Sequence, residues 1–217
     1  MMPGVAAQPL GRRSPVPTGD LASANFVSGV YSVGGSSVTA ADIVDQPGAI
    51  TANGLEVPDS DTPINMLGDF LATLTPGDWT IRIKYEQISG RSVLFVVADT
   101  NDLSGDTFVG LERGSGAPAY PNAYDNNPLN GRSIVDFASP LAFGIHCIAL
   151  TRQNGKLAMS VNGGAVVSDS STSFAVSGLA YGAFGGFPGD FTANACNIRS
   201  FDVYTAKDDS QLPTLSR

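Results

Sequence analysis

The residues best suited by type to hydrolytic chemistry are Glu56, Glu86 and Glu112. Glycoside hydrolysis needs two carboxylates facing each other, about 5 Å apart for retention and wider for inversion. These three lie in separate segments, so the sequence predicts no catalytic pair. His146 is the only histidine. It alternates out of phase with Ile145 and Cys147, no Gly-x-Ser-x-Gly is present, and no motif pairs it with a nucleophile. It is expected on a strand face with a hydrogen-bond partner. Asp99, Asn101, Asp102 and Asp106 form an oxygen-rich stretch. Calcium needs six to eight converging oxygens, whereas Asp and Asn also cap their own turns. This is the one weak metal candidate, and no other cofactor is expected.

Tyr120, Tyr124, Asp125, Asn126 and Asn127 lie in the longest irregular stretch, Gly114 to Gly131. Lectin sites lay a sugar on an aromatic ring and bind its hydroxyls through Asp and Asn. The competing reading is a contact loop against a neighbouring subunit, where tyrosine is enriched.

The elements that must carry these residues are short strands. The chain has 217 residues with 25 Gly and 14 Pro, 42% hydrophobic and only 15% charged. That suits many strands joined by turns. The net charge of -8 argues against binding nucleic acid through phosphates. No apolar run reaches the roughly 18 residues of a membrane span. Met1 to Asp20 lacks the apolar core of an export signal. Cys147 and Cys196 sit in apolar strand patterns and read as buried hydrophobes. A disulfide between neighbouring strands is the alternative.

Residues 1–24 are expected to be an extended arm, with Pro3, Pro9, Pro15 and Pro17 and the cationic pair Arg12-Arg13. Proline removes donors and fixes φ, so the arm forms no ladder. Arg12, Arg13, Pro15 and Pro17 are its candidate assembly contacts. Residues 25–217 are expected to be one domain.

Phe143 to Val167 organises that domain. A strand to Arg152, a turn at Gln153-Asn154-Gly155, a strand Lys156 to Val161 and a second turn at Asn162-Gly163-Gly164 make a meander. Leu157, Met159 and Val161 alternate with polar or small residues, a period of two. Trp79, Ile81, Ile83 and Tyr85 alternate likewise, with Trp79 a core anchor. Val93 to Val97 is apolar throughout and suits a strand buried on both faces. Phe26 to Val33, Ala49 to Val57, Thr107 to Glu112, Arg132 to Phe137 and Cys196 to Tyr204 also read as strands, and Leu179 to Phe184 is aromatic and glycine-rich, ending in Gly185-Gly186. Ile64 to Leu74 is assigned as strand, because Gly68 weakens its helical period. Thr39 to Asp42 reads as one capped helical turn. Ala206 to Leu215 reads as a terminal helix stopped near Pro213. The sum is an all-β antiparallel sandwich.

Two segments resemble a known superfamily. Ile145-His-Cys-Ile-Ala-Leu-Thr-Arg152, Asn154-Gly155 and Leu157-Ala-Met-Ser-Val-Asn-Gly163 resemble the central hairpin of concanavalin A-like lectin/glucanase and laminin-G-like jelly rolls. Asn197 to Tyr204 followed by Gln211-Leu212 resembles their closing strand and helix. The block from Asn25 to Leu55 is similar to leading segments of tailed-phage virion proteins of that superfamily. The resemblance implies a concanavalin-like jelly roll with an extended N-terminal arm and a short C-terminal helix. Glycanases of the superfamily carry Glu-x-x-x-Glu or Glu-x-Asp-x-x-Glu on one strand, and this chain has neither. The resemblance therefore implies a non-enzymatic virion protein. Its expected role is a capsid decoration (cement) protein that contacts the major capsid protein and self-associates, as a trimer by symmetry, in particles made in the host cytoplasm. The alternative it implies is a lectin-like, glycan-binding module of a capsid or tail appendage.

Overall fold

Alternation of apolar and polar residues builds two antiparallel sheets packed face to face. The computed structural model describes residues 19–57, 63–74, 78–88, 92–98, 108–113, 121–127, 131–136, 141–170, 180–185 and 196–217. The strands are β1 (Ala22–Asn25), β2 (Val30–Val33), β3 (Ser36–Ser37), β4 (Ile50–Thr51), β5 (Gly54–Val57), β6 (Ile64–Asn65), β7 (Trp79–Gln87) and β8 (Ser92–Ala98). They continue as β9 (Phe108–Arg113), β10 (Pro121–Asn127), β11 (Gly131–Asp136), β12 (Gly144–Gln153), β13 (Lys156–Val161), β14 (Val167–Asp169), β15 (Tyr181–Phe184) and β16 (Cys196–Thr205). Two short α-helices, α1 (Gly68–Ala72) and α2 (Leu212–Leu215), and three single 3-10 turns, Ala40–Asp42, Pro47–Ala49 and Asp209–Gln211, complete the described elements.

The larger sheet runs β14-β13-β12-β7-β16-β1-β2-β3, with β5 also paired to β16 and β4 to β5. The smaller runs β11-β10-β9-β8-β15-β6. The organising meander stands as β12 and β13, whose register runs Ile148↔Val161 to Gln153↔Lys156. Its turn takes Asn154 to φ 50 and Gly155 to φ 71. Asparagine and glycine are the residues that adopt this region at low cost.

The core lies between the sheets. Phe201 joins both of them to α1: its ring sits 5.5 Å from Phe95, 5.3 Å from Phe184 and 5.9 Å from Phe70. Trp79 is buried and packs edge-on against Phe95 at 6.4 Å. Val93 through Ala98 is buried residue after residue, as a strand enclosed on both faces must be. Both cysteines are buried, and they are not joined in a disulfide. His146 is a strand residue whose Nε2 lies 2.7 Å from the Ala142 carbonyl and whose Nδ1 lies 3.0 Å from Asn162 Nδ2.

Several expectations are corrected. Gly114 to Gly131 is not irregular throughout: β10 occupies Pro121–Asn127, hydrogen-bonded to β9 on one side and β11 on the other. Ile64 to Leu74 is only briefly a strand, and α1 follows with Phe70 buried, so the helical period prevails over Gly68. That glycine begins the helix at φ 45. Ala49 to Val57 splits into the hairpin β4–β5. Phe26 to Val33 is divided: Phe26 follows β1, and only Val30–Val33 is strand. Pro213 does not stop the terminal helix but sits in its first turn, where a missing N–H costs nothing. Ala22–Asn25 pairs with both β2 and β16, so the sheet takes in the last residues of the segment assigned to the arm.

Gly54 has φ +123, and a Cβ there would stand 2.5 Å from the Ile198 carbonyl oxygen. Gly54→Ala is therefore expected to lower the unfolding free energy by more than about 1 kcal/mol, read from the urea midpoint. An unchanged midpoint would mean that β5 does not approach β16 as closely as described.

Candidate functional site

The larger sheet has an inner face of Ile81, Ile83, Ile148, Leu150, Met159, Phe201 and Val203, all buried in the core. Residues one position out of phase form its outer face, which has three zones along the strands. The middle zone is polar yet covered. Arg82 donates from Nε to the Leu215 carbonyl at 2.8 Å, and from Nη1 to Asp202 Oδ2 at 3.1 Å and to Ser200 Oγ at 3.3 Å. Ser23 Oγ donates to the other Asp202 oxygen at 2.5 Å. Burial pushes the Asp202 carboxyl up, against the opposing pull of Ser23 and Arg82. Helix α2 seals this zone through Leu212 and Leu215, packed on Ala149, Ala158 and Tyr204. The Ser216 hydroxyl sits 2.9 Å from Ser160 Oγ. Burial also raises the Cys147 thiol, which donates to the Leu215 carbonyl. The Arg82, Asp202, Ser200 and Ser23 side chains are committed to each other and largely withdrawn from solvent.

The zone at the far end of β7 lies open. The register places Glu56, Asn197, Glu86 and Ile145 side by side on β5, β16, β7 and β12. Three strand spacings make this row roughly 14 Å wide. Lys84 lies one outward position back along β7, half-buried. A break in register between Ile198 and Ser200 leaves Arg199 as an extra residue on β16. Such a bulge re-aims a side chain. Here the guanidinium reaches Glu86 Oε2 at 3.3 Å on one side of β16 and the Asn53 carbonyl at 3.4 Å on the other. It therefore lies across the strand that carries Asn197. Asn197 is 5% exposed, and its Oδ1 has no hydrogen-bond partner among the described residues. A buried acceptor left without a donor is rare and costs about 1–3 kcal/mol.

Beside this polar row is an apolar shelf. Phe143 is 66% exposed, Ile88 52% and Ile145 50%. Gly144 opposes Gln87 in the β12–β7 register, so Phe143 and Ile88 sit just beyond the last pairs of the same two strands. The patch sets an exposed aromatic ring and two aliphatic side chains against a guanidinium, an ammonium, carboxylates and an amide. It can take a ligand with one apolar face and an edge of donors and acceptors.

The sequence pointed elsewhere. Arg12, Arg13, Pro15, Pro17, Tyr120, Asp99, Asn101, Asp102 and Asp106 lie outside the described residues. Tyr124, Asp125, Asn126 and Asn127 are strand residues of β10 in the smaller sheet, with Tyr124 opposite Gly110 and Ile134. Glu112 belongs to β9 in that sheet, while Glu56 and Glu86 come together across β16. Lys84 and Glu86 were legible as outward positions of the clearest strand. Asn197, Arg199 and the exposure of Phe143 were missed. The alternation of Asn197 with Cys196 and Ile198 was the one local signal for them.

No protein-family model and no curated protein sequence matches the chain. Its structure is similar to the CBM40 carbohydrate-binding module of the Ruminococcus gnavus IT-sialidase bound to α2,3-sialyllactose. The TM-score is 0.59 at 18% identity, covering 76% of this chain and 96% of that one. It is similar to leech intramolecular trans-sialidase complexed with 2,7-anhydro-Neu5Ac, TM-score 0.56 at 18% identity, over 75% of this chain and 26% of that one. It is similar also to Trypanosoma rangeli sialidase in complex with sialic acid, TM-score 0.58 at 14% identity, over 97% of this chain and 35% of that one. The chain thus spans only a minor part of either full-length enzyme. At identities this low the likeness establishes the fold: an antiparallel β-sandwich of the kind seen in sialidase carbohydrate-binding modules.

Proposed function

We propose that this chain is a non-catalytic carbohydrate-binding module that holds an acidic, sialic acid-bearing glycan on the open end of its larger sheet. The observation that carries this reading is the juxtaposition of Phe143, Ile145 and Ile88 with Arg199, Lys84, Glu86 and Asn197. A sugar ring has an apolar C–H face and an edge of hydroxyls, and the patch offers a partner to each. Arg199 and Lys84 are the cations for a sugar carboxylate, and the guanidinium fork matches a carboxylate in two parallel bonds. A glycan hydroxyl reaching Asn197 would supply the donor its carbonyl lacks, once the Arg199–Glu86 pair shifts aside. The similar R. gnavus module, bound to sialyllactose, supports this ligand class. Glu86 is tied to a cation, so the row favours holding over hydrolysis.

The virion decoration role expected from the sequence rests on the jelly roll, the missing catalytic set, the missing export signal and the Pro-rich arm, and the sequence placed its glycan-binding alternative on Tyr120 to Asn127. The similarity to a sialidase carbohydrate-binding module supports that alternative, here moved to the open end of the larger sheet.

Titrating the full chain with α2,3-sialyllactose and following backbone amide shifts by NMR tests it. Saturable shifts at Lys84, Phe143, Ile145 and Arg199 are expected. Arg199→Ala should weaken the affinity by about tenfold or more, the loss of one charge-assisted bond. Phe143→Ala should weaken it too while leaving the unfolding midpoint in place, because an exposed ring contributes within about 0.5 kcal/mol to stability. No shift in this patch at about 10 mM sugar, a free energy under 3 kcal/mol, would reject the reading.

A further inference from the structure

The outer face of the larger sheet has a third zone, at the opposite end from the patch. A cavity of about 430 Å³ lies there, lined by Asp20, Tyr204, Lys207, Ser210, Gln211, Thr214 and Leu215. Small-molecule sites run from about 300 to 1,000 Å³ and combine apolar walls with a few polar groups. This cavity has both. Tyr204 and Leu215 form the floor, each nearly buried in the α2 cluster. Ser210, Gln211 and Thr214 form an exposed rim of two hydroxyls and an amide. Asp208 N–H donates to Gln211 Oε1 at 3.1 Å, which fixes the amide and turns its NH2 outward as a donor.

The charges lining the cavity cancel. Asp20 accepts from the Thr205 amide at 2.6 Å, from Thr205 Oγ1 at 2.8 Å and from Lys207 Nζ at 2.8 Å. Burial pushes the Asp20 carboxyl up, but the hydrogen bonds from Lys207 and Thr205 outweigh it and hold the group below its ordinary range. The Lys207 ammonium also donates to Thr205 Oγ1 at 3.0 Å and stands 5.7 Å from the centre of the Tyr204 ring. Both ions are therefore internally paired, and a charged guest would find no free counter-ion.

We propose that this cavity is a second ligand site, selective for an uncharged sugar ring. The ring's C–H face rests on Leu215 and the edge of Tyr204, and its hydroxyls meet Ser210, Gln211 and Thr214. The site is separate from the open patch: Tyr204 and Asn197 are seven residues apart on β16, about 23 Å along the strand, with the sealed Arg82–Asp202 network between them. One face of one sheet thus carries an acidic-sugar site and a neutral-sugar site, spaced to engage two parts of one branched glycan or two neighbouring chains. Such double engagement raises avidity without new contacts.

The test is an NMR titration of the full chain with methyl β-D-galactopyranoside and, separately, N-acetylglucosamine, each to about 50 mM, a range that detects free energies below 2 kcal/mol. Saturable shifts at Ser210, Gln211 and Thr214 with at least one sugar are expected. Thr214→Trp, placed at an exposed rim position, should abolish them, and Ser210→Trp is the second variant should the first not fold. Arg199→Ala should leave them unchanged, which separates this site from the patch. Absent or non-saturating shifts at these three residues, or shifts that persist in both folded tryptophan variants, overturn the proposal. Failure of sialyllactose to bind at the patch leaves it standing.

Discussion

Arg82→Leu is expected to lower the unfolding free energy by about 3–5 kcal/mol, the cost of breaking a buried ion pair from one side. The substitution leaves the Asp202 carboxylate, 7% exposed, without its cation, and leaves the Leu215 carbonyl without the Nε donor. The damage extends to α2, because that carbonyl is one of the bonds that pin the helix to the sheet. The pH dependence has a definite sign. Burial already holds Asp202 above its ordinary range in the folded chain. Such a group contributes stability that is present below the ordinary carboxylate pKa and is lost as pH rises through the folded value. Removing the Arg82 cation raises that folded value further. The deficit of Arg82→Leu should therefore shrink as pH falls toward the ordinary carboxylate range, since Asp202 takes up its proton above that range. Urea unfolding at a series of pH values reads it. The double variant Arg82→Leu/Asp202→Leu should recover much of the loss at neutral pH, since apolar replacement of a whole buried pair is often neutral. A single variant as stable as the parent chain would show that the network is not sealed.

Phe201→Ala should cost a similar amount, about 3–5 kcal/mol. Phe201 is fully buried and stands at the crossing of both sheets and α1, with Phe70, Phe95 and Phe184 around it. Each of those rings is anchored on a different element, so the cavity cannot close without moving a sheet. The urea midpoint should fall with the slope unchanged, because the same surface is exposed on unfolding. A loss below about 1 kcal/mol would mean that the four rings repack freely, contrary to dense core packing. The comparison with Phe143→Ala is instructive, since the same deletion at an exposed ring is expected to spare stability and weaken sugar binding.

The amino-acid sequence alone was enough for the all-β class, the meander at β12 and β13, the enclosed β8 and the core role of Trp79. Each of these rests on neighbours in the chain: a period of two, a run of apolar residues, or Asn154-Gly155 at positions that need positive φ. Where local signals competed, reading them failed. Gly68 argued against a helix that buries Phe70. Between Gly114 and Gly131, glycine, proline and asparagine argued against β10, which two flanking strands hold in place. Strand propensity is weak against such tertiary pairing.

The site was decided by the tertiary structure. Glu56, Glu86, Ile145 and Asn197 are distant in sequence and become one row only because β16 lies between β5 and β7. Alternation tells which residues leave the core, but the outward positions of β7 look alike in sequence. Only the place where α2 docks separates Arg82, sealed in a network, from Lys84 and Glu86 on the open patch. Which strands become neighbours, and which part of a face is then covered, are long-range choices made by the packing of the whole sandwich, and no local periodicity encodes them.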